Sequence, residues 1–146
     1  MTWLMKEQHP TSVTAITQSF KPKIYPKVDD EATIIVTYPN AVGIIEASWN
    51  WTYNRKDMDI YGTEGALLAD NSSTLRMKST RGEEEQVELE PLHAPQNNPL
   101  SYLKAVVRGE IEPEGLSSLN NNMIVTSILS AARESAASGK TIYFRD

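Results

Sequence analysis

The stretch Ala32–Asp70, ATIIVTYPNAVGIIEASWNWTYNRKDMDIYGTEGALLAD, decides the fold, and it predicts four consecutive β-strands. Thr33 to Tyr38 is β-branched and aromatic, and Pro39-Asn40-Ala41 breaks it. From Val42 to Trp51 the pattern alternates. Gly43, Ile45, Ala47, Trp49 and Trp51 fall on one face, and Ile44, Glu46, Ser48 and Asn50 on the other. A period of two with one apolar face is the pattern of a half-buried antiparallel sheet. Met58 and Ile60 then alternate with Asp57, Asp59 and Tyr61. Gly62-Thr63-Glu64-Gly65 turns the chain, and Ala66 to Ala69 gives the fourth strand. Buried tryptophans bring roughly 150–250 Å² each, or about 4–6 kcal/mol apiece. The Trp49 and Trp51 face is therefore expected to be the core, covered by a helix.

Outward from that stretch, Ser12 to Phe20 alternates Val13 and Ala15 against Thr14 and Ile16, a further strand. Lys21 to Asp30, with two prolines and three lysines, reads as a long loop. Thr74–Ser79 and Glu84–Leu89 flank the turn Thr80-Arg81-Gly82-Glu83, and their dense charge suits an exposed sheet edge. Asn98-Pro99 is a helix start, with Leu100, Leu103 and Val107 as the apolar stripe and Gly109 as the stop. From Ser117 or Ser118 a long helix runs to about Ser138, with Val125, Leu129, Ala132 and Ala136 in line. Thr141 to Phe144 is a final strand. Strands first and helices late give an α+β fold: an open, mostly antiparallel β-sheet with two main helices packed on one face. The 146 residues suit a single domain.

Composition excludes several classes. Hydrophobic residues at 40% and charged residues at 23% are ordinary for a globular chain. A net charge of −5 offers no basic footprint for nucleic acid or an anionic membrane. There is no cysteine, so disulfides, thiol chemistry and Cys-ligated zinc are out. No run is long enough to span a membrane, and Met1 to Met5 is too short for a signal-peptide core. The expected location is the cytoplasm.

Candidate chemistry is sparse. The seven glycines never form a Gly-x-Gly-x-x-Gly or a P-loop. Gly62-Thr63-Glu64-Gly65 matches the RNA-clamping Gly-x-x-Gly in form, but between strands of an acidic chain it reads as a turn. His9 and His93, the two histidines, read as surface residues. Glu46 beside Ser48 reads as part of a solvated strand face, and Asp29-Asp30-Glu31 as a solvated loop rather than a cation site. Asn50-Trp51-Thr52 and Asn71-Ser72-Ser73 fit the glycosylation pattern with no secretory signal ahead of them. The strongest binding candidate is Trp51 to Lys56, where aromatic rings beside Arg and Lys suit a polyhydroxylated or anionic ligand.

Four runs together resemble the Gfo/Idh/MocA-type oxidoreductases. They are Val28-Asp29-Asp30-Glu31-Ala32-Thr33 with Pro39-Asn40, Ile45-Glu46-Ala47-Ser48-Trp49, Ile60 to Leu67 around Gly62-Thr63-Glu64-Gly65, and the helix Leu129–Ser138 before Gly139-Lys140. The resemblance implies that family's C-terminal domain, which completes the substrate pocket and mediates subunit contacts. It implies an N-terminal Rossmann domain as partner, a sugar-like small-molecule substrate, and self-association through the open sheet face. NAD or NADP is implied for the full-length protein and none for this chain. The family's Lys and Asp/His motifs are not in these residues. Trp3-Leu4-Met5 is similar to the end of the Asp/His helix, so the chain reads as a truncated form without catalytic residues, inactive in isolation. By the same resemblance Trp51, Tyr53 and Arg55 are the substrate-binding candidates, with His93 and Asn97 second. A competing reading is a non-enzymatic protein-interaction module using the free sheet face.

Overall fold

The computed structural model describes residues 1–144. Its elements run β1 (Ser12–Gln18), β2 (Glu31–Thr37), β3 (Val42–Ser48), β4 (Met58–Tyr61), β5 (Gly65–Ala69), β6 (Leu75–Ser79) and β7 (Glu84–Val87). Helices α1 (Pro99–Val107) and α2 (Leu119–Ser138) follow, then β8 (Ile142–Tyr143). The α+β class and the antiparallel pairing hold. The strands are shared between two four-stranded sheets, β3-β2-β1-β8 and β4-β5-β6-β7. The chain divides into two compact units: Met1–Asn50 with the segment from Glu112 onward, and Trp51–Ile111.

In the first unit α2 lies against β1. Register places Val13 opposite Val36 and Ala15 opposite Ile34, and Val36 opposite Gly43 with Ile34 opposite Ile45. These residues share the inner face. Val13, Ala15, Val36 and Tyr38 pack with Ile124, Ile128, Ala131 and Ala132 of the helix, and Met5, Ile34 and Ile142 close around them. Fully burying a side chain such as Ile124 is worth about 1.5–3 kcal/mol. The inner face is thus the one the alternation predicts, but its centre is not Trp49. β3 ends at Ser48 and borders the sheet, and Trp49 remains 58% exposed.

The buried line of α2 runs Asn121, Ile124, Ile128, Ala131, Ala132 and Ser135, one position away from the expected stripe. Leu129 faces solvent. Two polar residues hid this line in the sequence. Ser135 belongs there because its Oγ accepts the N–H of Ala15 at 2.9 Å, where the two-residue β8 no longer covers β1. Left unpaired, that buried donor would cost about 1–3 kcal/mol. Ser118 caps the helix start by accepting the Asn121 N–H, and Gly139 ends it with φ 66°.

In the second unit β4 to β7 form a meander. Met58, Ile60, Leu67, Ala69, Leu75, Met77 and Val87 share one face by register. Gly65 is required at the start of β5, since a Cβ there would sit 2.3 Å from the Lys78 carbonyl oxygen. Asn98 caps α1 as expected, its side chain accepting from the N–H of Leu100 and Ser101. The α1 stripe is a correction, since Leu100, Leu103 and Val107 are all exposed and Ala105 is the buried residue. Sequence periodicity marks an apolar stripe without saying what covers it. No helix among the described residues is long and apolar enough to cross a membrane.

Candidate functional site

The link after β3 brings two of the expected binding residues together. The Arg55 guanidinium lies 5.1 Å over the Trp51 ring, and its Nε donates to both carboxylate oxygens of Asp57, at 2.8 and 3.0 Å. Arg55 thus sits between an aromatic ring and a carboxylate that pairs with its charge. An aromatic face with fixed polar edges suits a neutral polyhydroxylated ring better than a bare anion. Tyr53, at the tip of the link, is 71% exposed. His93 and Asn97 lie one turn apart, with the Asn97 N–H bonded to the His93 carbonyl at 3.0 Å, directly before the α1 cap. Both side chains face solvent.

A second polar centre, in the first unit, was not anticipated as structural. Asp30 is 3% exposed. Its carboxylate accepts the N–H groups of Phe20 at 2.9 Å and Lys21 at 2.7 Å, and the Asn50 side-chain amide at 2.9 Å. Burial pushes this carboxyl up, but the hydrogen bonds from Phe20, Asn50 and Lys21, with the Lys21 charge, outweigh it and hold it below the ordinary range. Glu31 joins through the Ser48 hydroxyl, and Asn50 also donates to Glu31 at 3.2 Å. Asp30, with Glu31 beside it, therefore anchors the 19–30 loop. Among the described residues no group of three acidic or histidine side chains could hold a metal ion. Trp49 meets Tyr25 of the same loop, ring centroids 4.8 Å apart. The signal in sequence was an acidic residue just before a strand, which equally marks solvated loops.

The outer face of the first sheet is the third feature. Tyr143 pairs with Ser12, Ile16 with Thr33, and Ile35 with Ile44, so these side chains project opposite to α2. Ile16, Val42, Ile44 and Tyr143 are 63–74% exposed, forming an apolar field set among threonines.

Comparison with known proteins places this architecture. Residues 1–68 match the GFO/IDH/MocA C-terminal domain family. Over that segment the chain is similar to the family its sequence resembles. No curated protein matches the chain. Solved structures align over nearly all of it. An inositol dehydrogenase homolog complexed with NADH and myo-inositol, from Azotobacter vinelandii, aligns with TM-score 0.69 at 15% identity, over 97% of this chain and 46% of that one. An aldose-aldose oxidoreductase from Caulobacter crescentus complexed with glycerol gives 0.74 at 15%, over 94% and 42%. An oxidoreductase from Pseudomonas syringae gives 0.68 at 14%, over 97% and 48%. The fold is thus that of these oxidoreductases, and the chain spans less than half of each.

The described residues do not fit a nicotinamide cradle. Every strand pairing is antiparallel, whereas dinucleotide binding uses a Gly-rich turn between a parallel strand and a helix. No cofactor step is assigned to these residues.

Proposed function

We propose that this chain is the substrate-binding and assembly half of an NAD(P)-dependent oxidoreductase acting on a sugar or sugar derivative, with the nicotinamide held by a Rossmann domain outside these residues. The observation that carries the reading is the family match over residues 1–68 joined to whole-chain alignment with sugar- and polyol-related oxidoreductases. Trp51 and Arg55 supply a stacking platform for a polyhydroxylated ring, with Tyr53, His93 and Asn97 as further polar contacts. Alone, the chain has no hydride donor and turns over no substrate. The outer face of the first sheet supports self-association, because an apolar field of this kind marks an interaction surface.

The coding sequence upstream of Thr2 tests the reading. A Rossmann-coding sequence running in frame into Thr2 supports it, and a stop codon there overturns it. The exposed Ile16, Ile44 and Tyr143 face also supports a second reading, a protein-interaction module with no enzymatic role. The upstream sequence separates the two. Light scattering tests the self-association they share, with a dimer expected and a monomer for Ile44→Lys.

A further inference from the structure

We propose that residues 1–8 form a latched strap on the first unit, with the Glu7 carboxylate as its catch. Four contacts seat it. Thr2 is 6% exposed. The Met1 side chain occupies the space above Gly43, where a Cβ would come within 1.8 Å of its terminal methyl carbon. The Trp3 indole lies on Gly115, with its Nε1 3.2 Å from where a Cβ would be. Glu7 accepts from the Ser118 hydroxyl at 2.5 Å and from the Asn120 side-chain amide at 2.6 Å.

Internally the strap is weak. Its own hydrogen bonds are one short series, from Met5 N–H to the Met1 carbonyl through Gln8 N–H to the Met5 carbonyl. A turn this short does not hold itself in water. Lys6 and Glu7 both take left-handed backbone conformations, φ 51° and 60°. Side-chain-bearing residues keep such conformations only where their surroundings fix them. What fixes them is the catch. Ser118 does two things at once, donating to Glu7 and accepting the Asn121 N–H as the cap of α2. Strap and first helical turn therefore open together. Opening bares the Gly43 surface of β3 and the half-buried Met5 beside the core.

Amide hydrogen exchange on the 146-residue chain tests it. In Glu7→Ala the Met5, Glu7, Gln8 and Asn121 amides should exchange about tenfold faster, with β1 and β2 unchanged. Asn120→Ala removes one of the two donors to Glu7 and leaves the Ser118 bond, so it should accelerate the same amides by a smaller factor, and it serves if Glu7→Ala does not fold. Unchanged exchange at residues 5–8 would overturn the latch. So would equal acceleration throughout β1 and β2, which would make Glu7 a general stability residue.

Discussion

The two units follow the same strand pattern and end with different cores. In Met1–Asn50 with its C-terminal segment, a twenty-residue helix lays Ile124, Ile128 and Ala132 on Val13, Ala15 and Val36. In Trp51–Ile111, Ala105 is the one hydrophobic side chain among the described residues to reach full burial. Alternation makes a strand in either case, but a helix matched to its inner face makes a core. The second unit relies on strand pairing and tight turns. It also holds the substrate-binding candidates, in keeping with the tendency of binding segments to lie in the less stable parts of a fold.

The sharpest way to break this contrast is to excavate each unit. Ile124→Ala should cost about 2–5 kcal/mol, seen as a large drop in denaturant midpoint. Leu67→Ala, at a position already 37% exposed, should cost less than half as much. Next, Gly65→Ala forces a Cβ against the Lys78 carbonyl and should cost about 1–3 kcal/mol. Its effect should be confined to exchange of the β5 and β6 amides, with β1 and β2 unaffected.

A smaller effect is acid-dependent. The Asp30 carboxyl is held below its ordinary value in the folded chain. Its contribution is therefore fully present above the unfolded value of about 3.9 and lost as pH falls through the lower folded value. Near neutrality the 19–30 loop stays anchored, and Asp30→Asn should remove the acid sensitivity of its amides. The smallest effect expected is from Arg76→Ala. Arg76 is bonded to Asp70 and Glu84 on the exposed hairpin, and exposed ion pairs add little. Thermal unfolding of the first unit should not move.

Much of the fold was legible because local rules act locally. The turns at Pro39-Asn40 and Gly62–Gly65, the Asn98 and Ser118 caps and the Gly139 stop all fall where residue chemistry puts them. What stayed hidden depends on partners distant in sequence. Ser135 is buried by the short reach of β8, Trp49 is exposed because β3 ends at Ser48, and Leu100 and Leu103 face outward. At the candidate site, the mix of aromatic and cationic residues in Trp51 to Lys56 was visible in the sequence, whereas the seating of Arg55 over the Trp51 ring was not. The anchoring role of Asp30 was not, because its donors lie on residues 20, 21 and 50.

The central claim is that these residues are the half of an oxidoreductase that meets substrate rather than nicotinamide. Calorimetric titration of the 146-residue chain with NADH tests it most directly. The account predicts no saturable heat, whereas micromolar binding would contradict it.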